Sequence, residues 1–281
     1  MSYRTILVYL DDDARTRTRI GVAAALARAH QSHLIGLAPS GRSEIPGSPW
    51  PPVAGPEFQH FSLEALIERA RRVAGDCAQQ AKELEVPSFD THVDAQDPTP
   101  SMIQHAACAD LLVIGQADHR APTPAVPWAF PQHVILCSGR PVLLVPIKGE
   151  FPVVGSRVLV AWNGSREATR AIFDALPLLR AASAVQVVVF DEEDLDHGPS
   201  CPRPQPEHLL GWLARHSVIA GLSREPHRGR LGRQLLHKVS EQGADLLVMG
   251  CYGHSRLTEL VLGGATRAVL ADMQVPVLMS H

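Results

Sequence analysis

Short apolar runs alternate along this chain with longer segments of helical period. The runs are "TILVYL", "SHLIGLA", "LLVIG" and "PVLLVP", then "RVLVAW", "AVQVVVF", "LLVMG" and "PVLM". Between them lie "RTRIGVAAALARAH", "FSLEALIERARRVAGDCAQQAKELE", "REATRAIFDALPLLR" and "HLLGWLARHS", which repeat apolar residues three and four apart. Unbroken apolar runs of this length suit strands buried on both faces, and helical crossovers between them imply a parallel sheet.

The pattern is written twice. "ADLLVIG" (Ala109–Gly115) returns as "ADLLVMG" (Ala244–Gly250), and "RPVLLVP" (Arg140–Pro146) meets "VPVLMSH" (Val275–His281) after the same interval. "TILVYLD" from Thr5 aligns with "RVLVAWN" from Arg157. A repeated unit of this kind fixes the architecture before any single element does. The expected fold class is α/β, with two tandem domains, each a parallel sheet with helices on both faces. We place the domains at residues 1–148 and 155–281, joined through the Gly- and Pro-rich stretch Ile147–Gly155. "PSGRSEIPGSPWPPVAGPE" and "GPSCPRPQPE" read as surface loops, because Pro cannot join a central ladder.

Open parallel sheets bind ligands beyond the carboxyl ends of their strands, where strand order reverses. In the second half two loops border that crevice: "WNGS" (Trp162–Ser165) and the glycine segment from Gly250. Gly250 and Gly253 remove side chains where a flat ligand would approach. Gly263 and Gly264 precede the helical segment "ATRAVLAD", whose free N–H groups could receive phosphate, with the Thr266 hydroxyl as a further donor. Arg256 offers a donor fork for phosphate, or else lies on a solvated helix face. Trp162 could stack on a base or pack at a strand end. Neither a P-loop nor a G-x-G-x-x-G fingerprint occurs.

The first half serves as an internal control. There Gly250 matches Gly115, but Gly253, Gly263 and Gly264 match Asp118, Trp128 and Ala129. Glycines needed only for the fold would be kept in both halves, so we expect one nucleotide site per chain, in the second half.

Composition narrows the function classes. A net charge of −3 gives no electrostatic basis for binding nucleic acid or an anionic membrane. Five scattered cysteines without a C-x-x-C pair argue against disulfides and zinc, and Cys251 reads as an ordinary thiol. No apolar run approaches the length of a membrane span, and the start resembles no signal peptide, so the expected location is cytoplasmic. "DEEDLDH" (Asp191–His197) could hold Mg²⁺ against ATP phosphates, or be a solvated acidic loop. No set of nucleophile, base and orienting group is legible, so no catalytic residue is named and any ATP hydrolysis would be slow.

At the glycine segment the chain resembles the universal stress protein family, in its tandem form. The family motif, G-x-x-G, nine residues, then G followed by Ser or Thr, reads here Gly250-Cys251-Tyr252-Gly253, nine residues, Gly263-Gly264. The resemblance implies two tandem doubly wound domains, each a five-stranded parallel sheet in the order 3-2-1-4-5, together with ATP binding, a cytoplasmic location and a role in stress survival. It places Gly250, Tyr252 and Gly253 at the ribose and α-phosphate. Gly263, Gly264 and Ala265 fall at the β- and γ-phosphates, and Met249 near the base. Asn163 stands where ATP-binding members usually carry an acidic residue near adenine, and Gly264 where the motif has Ser or Thr. The expected partners are an adenine nucleotide and proteins. The first domain would pack on the second as a pseudo-dimer through the final strands, and pairing of two chains as a homodimer is left open. Two other readings stay open: an interaction scaffold without nucleotide, and an adenylating enzyme of the related adenine-nucleotide α-hydrolase group.

Overall fold

The computed structural model describes residues 2–41, 63–117, 129–191, 204–227, 229–251 and 264–281. The first half runs β1 (Thr5–Tyr9), α1 (Thr16–His30), β2 (His33–Pro39), α2 (Leu63–Glu83), β3 (Phe89–Asp94), α3 (Pro98–Ala106), β4 (Leu111–Gly115), α4 (Phe130–Cys137) and β5 (Val142–Val145). The second runs β6 (Arg157–Ala161), α5 (Arg166–Ala181), β7 (Ala184–Asp191), α6 (Pro206–Arg215), β8 (Ala220–Pro226), α7 (Leu231–Glu241), β9 (Leu246–Gly250), α8 (Gly264–Asp272) and β10 (Val277–Ser280).

Each half forms five parallel strands in the order 3-2-1-4-5, as the repeat and the resemblance imply. The two sheets then fuse into one of ten strands, β3-β2-β1-β4-β5-β10-β9-β6-β7-β8. The join is antiparallel, with Val277 opposite Leu144, Leu278 opposite Leu143 and Met279 opposite Val142. Each final strand thus covers the other's open edge, which would otherwise template aggregation. The outer edges, β3 and β8, carry Asp90, Asp94, Arg224 and Glu225, with Pro226 ending β8.

Alternate strand residues face opposite layers. Val158, Val160, Leu246 and Val248 pack beneath α1, α2, α5 and α6, whereas Leu159, Leu247 and Met249 join Met102, Val134, Leu235 and Val269 on the side of α3, α4, α7 and α8. The repeated "AD" before β4 and β9 has a clear purpose. Asp110 accepts hydrogen bonds from the Arg4 and Thr5 amides at 2.7 and 2.9 Å, fixing the start of β1. Asp245 accepts from the Gly155, Ser156 and Arg157 amides and fixes the start of β6. Both carboxylates lock two neighbouring strands in register at their amino ends.

Polar bonds knit the halves beside the central join. Tyr3 donates to the Asp174 carbonyl at 2.7 Å, while Asp174 is itself held within the second half by Ser280 Oγ, which donates to its carboxylate at 2.9 Å. Gln116 donates to the Leu270 and Ala271 carbonyls, which end α8, and its own carbonyl accepts from the Ile147 amide. A side chain of the first half thereby satisfies carbonyls that a helix terminus leaves free.

Candidate functional site

β6 and β9 are parallel neighbours, with Val160 opposite Val248, so their carboxyl ends lie side by side, where open parallel sheets receive ligands. Trp162 is buried, its amide bonded to the Val188 carbonyl, and it packs in the core rather than presenting a stacking face. The chain then turns at Gly164 (φ 73°). Asn163 Oδ1 accepts from the Ser165 amide at 3.1 Å, and Ser165 Oγ caps α5 by accepting from the Ala168 amide at 3.1 Å. Asn163 remains exposed at the mouth. Arg166 beside it is also exposed, and pairs at 3.1 Å with the buried carboxylate of Glu167.

Gly250 proves to be bare for packing. A methyl group built there would fall 2.5 Å from the Glu167 carbonyl carbon and 2.9 Å from Ala168 Cα, inside the first turn of α5. Met249 is buried on the opposite face of the sheet, among α7 and α8 residues. Gly264, by contrast, is exposed, with open space where a side chain would project. Ala265 is half-buried and Thr266 buried. No carboxylate occupies the first turn of α8, where the helix carries a partial positive charge. Tyr252, Gly253, Arg256 and Gly263 lie outside the described residues, as do 192–197 of the acidic run.

The first domain answers position by position. With β1 laid on β6 and β4 on β9, the strand registers coincide: Val8 pairs with Val113 as Val160 pairs with Val248. Tyr9 then stands on Ala161, Thr16 on Ala168, Arg19 on Ala171 and Phe130 on Ala265. All four are buried. The Tyr9 and Phe130 rings meet at 4.7 Å, and the Arg19 guanidinium lies against Gly115. Asp11, the counterpart of Asn163, makes the same turn, accepting from the Asp13 amide at 3.3 Å. One domain has four large or polar groups where the other has four alanines. Glycine spacing alone missed this contrast; comparing side-chain sizes across the aligned halves would have found it.

The thiols divide by burial. Burial pushes Cys77 up to about 11, and burial with the nearby Glu167 carboxylate holds Cys251 well above the ordinary thiol range. Cys251 Sγ also donates to the Ser280 carbonyl at 3.3 Å. Only the thiolate reacts, so alkylation at pH 8 followed by peptide mapping should label exposed Cys108 and Cys137 first. Cys77 and Cys251 should lag by about 100-fold or more. Equal labelling would contradict the burial of Cys251.

A cavity of about 330 Å³ opens at the other end of the sheet, lined by Arg157, Gln186, Glu241 and Gln242 among others. The Arg157 guanidinium is already bonded to the Gln242 carbonyl there, so this hollow does not extend the crevice. Among the described residues, no group of three His, Cys, Asp or Glu could hold a metal, and no helix is long and apolar enough to cross a membrane.

Residues 2–146 and again 156–281 match the universal stress protein family. Universal stress protein Rv2005c of Mycobacterium tuberculosis is 25% identical over 251 residues, covering 83% of this chain and 82% of its own. A universal stress protein from Archaeoglobus fulgidus DSM 4304 shares the fold with a TM-score of 0.72 at 16% identity, over 98% of this chain and 97% of that one. A universal stress protein solved in complex with cAMP matches 52% of this chain and 98% of its own at 17% identity, with a TM-score of 0.39.

Proposed function

The chain belongs to the universal stress protein family, and on that premise we propose that its second domain binds ATP or a related adenine nucleotide and that the protein acts as a cytoplasmic regulator in the stress response. The reading rests mainly on one observation. Four buried groups of the first domain, Tyr9, Thr16, Arg19 and Phe130, are replaced by Ala161, Ala168, Ala171 and Ala265 beside an exposed Gly264.

The roles follow from chemistry. The β- and γ-phosphates lie at the start of α8, where Gly263, Gly264 and Ala265 supply N–H groups and a partial positive charge favours anions. Thr266 belongs to the same turn, its side chain turned inward. Asn163 meets the base at the mouth. Its Oδ1 is engaged by Ser165, and its amide nitrogen offers donors to a ring acceptor. Tyr252 and Gly253 border the ribose, Met249 supports that wall from behind, and Arg256 adds a phosphate donor. Mg²⁺ accompanies the triphosphate as a hard cation bound by phosphate oxygens. The first domain acts as the packing partner and as a surface for proteins.

The opposing reading is a scaffold without nucleotide, favoured by Gly250, whose bare backbone serves α5 rather than a ligand. Equilibrium dialysis of the full chain against ATP, AMP and cyclic AMP separates the two. One equivalent of ATP per chain is expected. No binding at millimolar nucleotide would leave the scaffold, and two equivalents would contradict the closed first crevice.

A further inference from the structure

The first crevice is more than occluded, because its lining suits one kind of group. Arg19 is 4% exposed, its guanidinium set between the Tyr9 carbonyl at the end of β1 and Gly115 at the end of β4. Its Nε donates to the Tyr9 carbonyl at 2.8 Å. Its Nη2 donates to Asp11 Oδ1 at 2.6 Å and to Thr16 Oγ1 at 2.7 Å. The Tyr9 ring lies 5.3 Å from the guanidinium carbon, within reach of a cation–π contact. The single Thr16 hydroxyl proton lies within reach of both the Asp11 carbonyl and its carboxylate. The site thus presents a backbone carbonyl, a carboxylate, a hydroxyl and an aromatic ring. All the polar groups act as acceptors toward Arg19, and their arrangement fits a planar fork better than a point cation.

We infer that the crevice of the first domain is a guanidinium-binding site occupied in cis by Arg19, so that this domain carries its own ligand and is closed to nucleotides. Its chemistry is opposite to that proposed for the second crevice, which receives an anion at a helix terminus. An anionic phosphate brought to the first crevice would meet Asp11 and would have to displace a bonded cation. Breaking a buried pair by removing one partner strands the other charge. Arg19 therefore stays in place whatever nucleotide is present. The inference concerns residues of β1, α1, the turn between them and β4, and stands whether or not the second domain binds a nucleotide.

Two measurements on the full chain test it. In ¹⁵N-labelled wild-type protein near neutral pH, the Arg19 Nε–H should give a slowly exchanging resonance that disappears in Arg19→Lys and does not shift with ATP. Arg19→Ala should melt on the order of 10 °C lower. Methylguanidinium at about 50 mM should restore at least ~3 °C of that loss by mass action, methylammonium at the same concentration should not, and wild-type protein should respond to neither. An Arg19 Nε–H that exchanges freely, or an equal response of Arg19→Ala to both cations, would overturn the assignment. If Arg19→Ala does not fold, the wild-type resonance decides alone.

Discussion

Gly250→Ala is expected to destabilise the protein by about 3 kcal/mol, lowering the melting temperature by roughly 6–12 °C for a chain of this size. The added methyl would meet the Glu167 carbonyl carbon at 2.5 Å and Ala168 Cα at 2.9 Å. These are backbone atoms in a helix that Ser165 caps and the sheet holds from below, so they cannot step aside as a flexible side chain would. Two comparisons make the reading specific. At Gly115 the methyl meets the Arg19 guanidinium, which Tyr9, Asp11 and Thr16 hold in place, so Gly115→Ala should also be costly, about 2 kcal/mol. At Gly264 nothing lies within 4 Å, and Gly264→Ala should stay within about 0.5 kcal/mol of wild type. Urea unfolding of the three variants gives the order directly. Similar costs at Gly250 and Gly264 would contradict the close contact between β9 and α5.

The second large effect concerns binding. Writing the first domain's filling into the second, as Ala161→Tyr with Ala265→Phe, should lower nucleotide affinity at least ~100-fold, equivalent to about 2.7 kcal/mol. Stability should be little changed, because Tyr9 and Phe130 already pack as a pair on the same backbone in the first half. The reverse change, Tyr9→Ala with Phe130→Ala, should not create a site while Arg19 and Asp11 remain paired. Titration calorimetry reads both results. Undiminished binding in the filled variant would show that the ligand does not use this crevice.

Much of the architecture was legible because it rests on local signals. The repeated "ADLLV" and "PVL" runs are central strands, and their apolar continuity reflects burial on both faces. The pairing of β5 with β10 followed from the need to cover two apolar edges. What the sequence obscured depends on contacts between distant residues. Gly250 looked like a ligand glycine, but its constraint comes from Ala168 on the neighbouring crossover helix. Arg19 carries no signal of its own within the helical pattern of α1, yet it is fixed by Tyr9, Asp11 and Gly115 together. The repeated Asp110 and Asp245 were visible as identities, but their task of bracing the neighbouring strand is seen only in three dimensions.

The asymmetry of the two crevices is tested most directly by hydrogen exchange of the full chain with and without saturating ATP, resolved to peptides. The account predicts slowed exchange in the peptides spanning Asn163–Ala168 and Gly264–Thr266, with no change over Tyr9–Arg19 and Leu111–Gly115. Protection in the first-domain peptides instead, or in neither set, would contradict it.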